Sequence, residues 1–325
     1  MFSLRKHGLR AKLAGLAPLV DWTLFPSTIV AALEMRALRE FNLAKLPRCR
    51  QALETLGVFP LRAHYYEPLF ERDGLRENAG RPRRLPGIEL NWDAQVATLA
   101  SLGYRDELSQ FPRTGARPGV YAFDCGNFGA GDAEVTYCML RRHKPKRVFE
   151  IGSGFSTLVI NAALQRNRAE GHASELCCVE PYEMAWLEGL GVRVERALVE
   201  KLPATFFSNL EAGDVLFIDS SHMIRPGGDV LHLINEVLPS LPRGVHVHVH
   251  DIFTPYEYPK EWLVDGVCFW NEQYLLEAFL SNNQHFRVEL ALHGLFRERQ
   301  SALFEHCPGL AADASNPPKS CWLRS

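Results

Sequence analysis

Apolar positions along the chain follow two rhythms. From about residue 116 onward, short apolar runs alternate with stretches whose apolar residues recur at helical spacing, the pattern of β-α-β units that assemble a parallel sheet. The runs at 147–151, 175–180, 193–197, 214–219, 245–250, 287–292 and 320–324 predict seven strands. Helices are predicted between them at 136–142, 157–165, 183–190, 204–210, 229–238 and 272–281. The final run follows a long helical excursion and inserts most simply antiparallel beside its predecessor. The fold class expected is α/β, a doubly wound and mostly parallel sheet of seven strands, preceded by a helical region.

Before residue 116 the pattern is helical and irregular by turns. Residues 35–56 read as helix, and 57–86 as a connection rich in Pro, Gly, Arg and aromatics. Trp92, Val96, Leu99 and Leu102 then fall at helical spacing behind Asn91, a plausible N-cap. This divides the chain into a helical N-terminal region with its connection, 1–115, and a sheet domain, 116–325. Residues 13–33 are largely apolar and follow Arg5, Lys6, Arg10 and Lys12, but Pro18, Asp21 and Pro26 interrupt them. A spanning helix needs about 20 unbroken apolar residues, so a surface-lying or partner-facing segment is expected instead. The cluster Arg81, Arg83 and Arg84 beside Pro82 and Pro86 reads as a solvated turn.

Composition narrows the function classes. With 36 Lys and Arg against 38 Asp and Glu, the formal net charge of -2 offers no general field for a polyanion, and nucleic acid is excluded as an expected partner. The 8 cysteines are scattered without a C-x-x-C pair, and no signal peptide is seen. A reducing cytoplasm is the expected compartment, with the inner membrane face as an option opened by the apolar N-terminal segment.

Candidate chemistry gathers at the ends of the predicted strands. Residues 149–157 run from an apolar strand through Gly152-Ser153-Gly154 into a helix, a turn that lets backbone approach a ligand closely. It is defective as a dinucleotide fingerprint: the third glycine falls at Thr157, and Glu150 would face a pyrophosphate with like charge. A carboxylate there suits a cationic ligand such as the amino-acid portion of S-adenosylmethionine. Glu180 ends the next strand, where doubly wound folds hold a ribose. Asp219 and Asp251 each close an apolar strand, and two such carboxylates can share one hard cation, Mg²⁺ or another divalent ion. His246, His248 and His250 alternate onto one strand face; the first two are expected to pack, while His250 lies near enough the strand end to reach the site. His222, three residues past Asp219, is a candidate general base.

These segments resemble class I S-adenosylmethionine-dependent methyltransferases, with a Rossmann-like sheet whose glycine-rich motif matches Glu150 to Gly154 and whose ribose acid matches Glu180. The resemblance covers roughly residues 120–325 and is strongest to bacterial members carrying EIGSGFST, FIDSSH, HDIF and EYPKEW segments. A weaker likeness to cation-dependent O-methyltransferases aligns Asp219 with a metal-binding Asp, His222 with a catalytic Lys, and Asp251-Ile252 with Asp-Asn. Ile252 cannot ligate a metal, which leaves His250 as a candidate for the missing ligand. The resemblance implies methyl transfer to a hydroxyl on a small molecule or glycan, with Glu150, Gly152, Ser153, Gly154, Thr157 and Glu180 at the cofactor and Asp219, His250 and Asp251 at the metal. Two alternatives remain open at this stage: an NAD-dependent oxidoreductase, and an inactive scaffold or membrane-surface protein that retains the fold. Peripheral membrane contact and a homo-oligomer are likewise open.

Overall fold

The computed structural model describes residues 16–62, 64, 66–69, 80–182 and 184–325, in two compact units, Met1–Glu77 and Asn78–Ser325. The first unit carries helices α1 (Ala17–Glu40) and α2 (Pro47–Leu56). The single helix expected over 35–56 is thus divided. Asn42, in the left-handed region at φ 68°, turns the chain, its side chain accepts from Ala44 N, and Pro47 starts the second helix where a missing N–H costs nothing. No residue of α1 is buried.

The second unit starts earlier than the boundary at 115/116 drawn from the sequence. Helix α3 (Trp92–Leu102), capped by Asn91 as expected, sends Leu99 and Leu102 into the same apolar core as the sheet, and the Gln95 side chain accepts from Ala291 N. The chain continues through α4 (Ala130–His143), β1 (Arg147–Ile151), α5 (Phe155–Ala169), β2 (Glu175–Val179), β3 (Arg193–Glu195) and β4 (Val215–Ile218). Helix α6 opens at Asp229–His232, widens to a π turn over Leu233–Val237 and closes at Leu238–Ser240. Then come β5 (His246–Val249), α7 (Glu272–Leu280), β6 (Arg287–Ala291), three short helices (α8, Leu292–Glu298; α9, Gln300–His306; α10, Pro308–Ala312) and β7 (Cys321–Arg324).

The seven strands form one sheet in the order β3-β2-β1-β4-β5-β7-β6. The first five are mutually parallel, and β7 runs antiparallel between β5 and β6. Alternate residues of the buried strands feed two cores, one on each face: Val148, Cys178, Val215 and Phe217 on one side, Phe149, Ile151, Leu216 and Val247 on the other. The strand order reverses between β1 and β4, so their carboxyl ends flank the crevice where open α/β sheets bind ligands. Two expected helices shrink to single 3₁₀ turns, Leu187–Leu190 and Ala204–Phe207. Arg83 is not a solvated turn residue; it pairs with Glu257 at 2.7 Å and Glu277 at 2.5 Å.

Candidate active site

The turn after β1 is built against its two neighbouring strands. Gly152 N donates to Val179 O at 3.0 Å, and Asp219 N donates to Ile151 O at 2.8 Å. Gly152 sits at φ +76°, and a Cβ there would stand 1.8 Å from the Asp219 carbonyl oxygen, so only glycine lets β1 and β4 end side by side. Gly154 differs: an added Cβ would meet only Met184 Cε, at 3.8 Å. The space above it is open. Glu180 caps the crevice, its carboxylate accepting from Ser153 N at 3.3 Å and Tyr182 N at 3.0 Å. Gly152, Glu180, Leu198, Val199, Asp219 and Ser220 line the resulting cleft.

Two expected cofactor residues do not reach it. Glu150 is fully buried below the turn, where its carboxylate accepts from Ser156 Oγ at 2.7 Å, Thr157 Oγ1 at 2.6 Å and Cys178 Sγ at 3.4 Å. Burial raises its pKa to about 7, against the opposing pull of those donors. Thr157 is also fully buried; its hydroxyl accepts from Gly154 N while donating to Glu150. Both fix the start of α5 from beneath, because side chains alternate along β1 and Glu150 points to the face that α5 covers.

The second cluster lies at the ends of β4 and β5. One ligand atom from each of Asp219, His222 and Asp251 falls within 4.8 Å of the others. His222 Nε2 stands 3.4 Å from Asp219 Oδ1 and 3.4 Å from Asp251 Oδ2, while its Nδ1 lies 2.9 Å from Glu272 Oε2. His222 and Asp251 both hold left-handed backbone, φ 59° and 57°, which aims their side chains back across the strand ends. The His222 carbonyl accepts from Asn271 N and Glu272 N, pinning the loop to the start of α7. Burial opposes a charge on His222, but contact with Asp219 and Glu272 prevails and holds its pKa well above that of an ordinary imidazole. Without its proton Nε2 offers a lone pair toward both carboxylates, the requirement shared by the base expected at His222 and by a metal ligand.

His250, expected as a ligand, sits behind the cluster. Its Nδ1 is 3.6 Å from both Asp219 Oδ1 and Asp251 Oδ1, and its Nε2 is 3.6 Å from Asp132 Oδ2. Burial disfavours its charge, yet Asp251 and Asp219 raise its pKa to about 10. Asp251 Oδ1 is buried without a hydrogen bond, 3.4 Å from Lys319 Nζ. Two carboxylates and one imidazole that offer ligand atoms within 4.8 Å of one another are a donor set that suits a divalent cation of the Mg²⁺ or Mn²⁺ kind.

His246 and His248 pack as expected. His246 meets Glu289 at 2.7 Å, and His248 stacks on Phe217 with ring centres 3.7 Å apart. Helix α4 starts behind Gly129 as N-cap, and the buried Asp132 carboxylate in its first turn accepts from Lys319 N, Ser320 N and Ser320 Oγ. Sequence reasoning missed Glu272, Lys319 and Asp132. They lie on distant elements, and only the closed sheet brings them to the strand ends.

The strand order with its antiparallel seventh strand is that of class I methyltransferases. Residues 149–252 match a family described as "Methyltransferase domain". An uncharacterized protein of Archaeoglobus fulgidus is 26% identical over 171 residues, covering 47% of this chain and 74% of that protein. Among solved structures, an O-methyltransferase from Bacillus cereus in complex with SAH aligns at 13% identity and TM-score 0.31, over 70% of this chain and 89% of that one. A structure described as cmcI-D160 Mg-SAM aligns at 12% identity and TM-score 0.32, over 65% and 85%.

Proposed function

We propose that the protein transfers a methyl group from S-adenosylmethionine to a hydroxyl of a small molecule or glycan, with a divalent cation at the acceptor. One observation carries this reading: Asp219 belongs both to the cleft beside Gly152 and Glu180 and to the cluster with His222 and Asp251. A cofactor held at the first and an acceptor oriented at the second would lie side by side, which is what in-line transfer requires. Glu180, accepting from the backbone of Ser153 and Tyr182, stands where a ribose is held in such sheets, and the open face of Gly154 leaves room for the cofactor. The cofactor would supply a sulfonium methyl and leave as S-adenosylhomocysteine as the O–CH₃ bond forms, and a bound cation would lower the pKa of the attacking hydroxyl, whose proton would pass to solvent. Asp219 and Asp251 would hold that cation, with His222 Nε2 as third ligand. Glu272 fixes the ring through Nδ1, the usual second partner of a ligating histidine. His250 supports the two carboxylates from behind.

Calorimetric titration with S-adenosylmethionine, S-adenosylhomocysteine and NAD tests the cofactor. The first two should bind at micromolar affinity and NAD should not; equal affinity for NAD would sink the assignment. Gly154→Val separates cofactor space from folding space, since the structure leaves the position open. Loss of S-adenosylmethionine binding at an unchanged melting temperature supports the reading, and retained binding removes Gly154 from the site.

A further inference from the structure

Glu180 stands one residue beyond the last pair of the β2–β3 ladder, Val179 with Glu195, where strand pairing no longer sets the direction of a side chain. Its backbone is fixed instead from the end of β3. Glu195 O accepts from Glu180 N at 3.1 Å, and Arg196 Nη1 donates to Glu180 O at 3.0 Å. The same guanidinium reaches farther along the chain, where Nη2 donates to Met184 O at 3.3 Å. Met184 holds left-handed backbone, φ 56°, and its Cε is the atom that a Cβ added to Gly154 would meet. Nε and Nη2 both donate to Glu188 Oε1, at 2.9 and 2.7 Å, which anchors the guanidinium plane itself.

From this juxtaposition we infer that Arg196 is a positioning residue for the cofactor: with one rigid fork it holds the Glu180 and Met184 carbonyls, and so aims the Glu180 carboxylate at the ribose and sets the clearance above Gly154. Arg196 lines neither the cleft nor the carboxylate cluster, so it acts through other residues. A ribose held by one carboxylate is sensitive to the direction of that group, because hydrogen bonds weaken steeply as they bend. Positive charge alone does not supply this. A lysine offers one nitrogen, whereas the planar guanidinium presents three in a fixed geometry, and all three are used here. The role rests on the proposed reading of the cleft as an S-adenosylmethionine site.

The test is a double-mutant cycle on the full chain, with S-adenosylmethionine affinity measured by calorimetry. Arg196→Gln should weaken binding by at least about tenfold, but by less than about threefold where Glu180→Gln has already removed the carboxylate through which Arg196 acts. A residue that merely supports the fold would give the same loss in both backgrounds. Arg196→Lys should resemble Arg196→Gln, since it keeps the charge and loses the fork. The Arg196 side chain is 33% exposed, so these replacements open no core cavity and the melting temperature should hold. Glu188→Gln leaves Arg196 in place and only frees its guanidinium; it should weaken binding in the same direction, and provides the test should Arg196→Gln fail to fold. Equal losses in the two backgrounds, or wild-type affinity in both Arg196→Gln and Glu188→Gln, overturn the inference and leave the cofactor reading standing. A wild-type chain that binds no S-adenosylmethionine overturns both.

Discussion

Glu150 occupies a place where its own charge is costly. Buried beneath the first turn, its carboxyl has a pKa raised to about 7 by desolvation, while an unfolded chain ionises it near the ordinary glutamate value. Below that ordinary value both states are protonated and no difference arises. Between it and about 7 the unfolded chain has released the proton that the folded protein keeps, so stability falls as pH rises across this window and levels off above it. The loss is at most on the order of 3 kcal/mol, from 1.36 kcal/mol per pKa unit. Glu150→Gln keeps an acceptor for Ser156 and Thr157 and cannot ionise. Denaturant titrations from pH 4 to 8 should therefore show the variant gaining on wild type as pH rises; parallel curves would mean that Glu150 is ordinary. His222 and Asp251 give a second residue-scale expectation. Asp251→Asn and His222→Ala should each weaken Mn²⁺ binding, followed by electron paramagnetic resonance, by at least about tenfold, in the range typical of lost metal-site partners. S-adenosylmethionine affinity should stay near wild type. Unaltered Mn²⁺ binding in both variants would remove the cation from the cluster.

The ends of β1 and β4 behave as one element, because Gly152 packs directly on the Asp219 backbone. Gly152→Ala places a methyl 1.8 Å from the Asp219 carbonyl oxygen and demands left-handed backbone of a residue with a Cβ. A left-handed non-glycine residue alone costs roughly 1–2 kcal/mol, and the clash adds to it. The expected outcome is a stability loss of about 3 kcal/mol or more together with lost cofactor binding, the opposite of the isolated binding defect expected at Gly154. A variant as stable as wild type would show that the strand ends can separate cheaply. All seven strands were legible in the sequence, β1 to the residue, because strands buried on both faces must be apolar runs with abrupt polar ends. The broken helix between Glu40 and Pro47 was less so: continuous apolar spacing hides a turn made by one asparagine in left-handed backbone. The site was legible in its strand-end carboxylates and glycines. Direction was not. That Glu150 turns inward, that His222 as well as His250 faces both carboxylates, and that Glu272 orients His222 depend on pleat phase and on left-handed backbone at His222 and Asp251, which residue types alone do not reveal.

At the scale of the whole chain, the boundary falls where contacts thin out, between Glu77 and Asn78, and not at the change of sequence rhythm near 115. Both apolar cores that sandwich the sheet draw only on residues from Ile88 onward, with α3 sealing one of them through Leu99 and Leu102. Cleft and carboxylate cluster likewise draw only on residues from Ile151 onward. The chain from Asn78 to Ser325 thus contains every buried contact that its sheet requires, whereas one beginning at 116 would lack α3 and expose the core beneath it. Produced alone, Asn78–Ser325 should unfold in a single cooperative transition within a few degrees of the full chain's sheet domain and bind S-adenosylmethionine with unchanged affinity. The piece beginning at 116 should be insoluble or bind a dye for exposed apolar surface, since burying Leu and Trp side chains contributes about 1.5–3 kcal/mol each and domains are stable by only about 5–15 kcal/mol. Equal solubility and melting of the two pieces would show that α3 is an accessory and would return the boundary to 115.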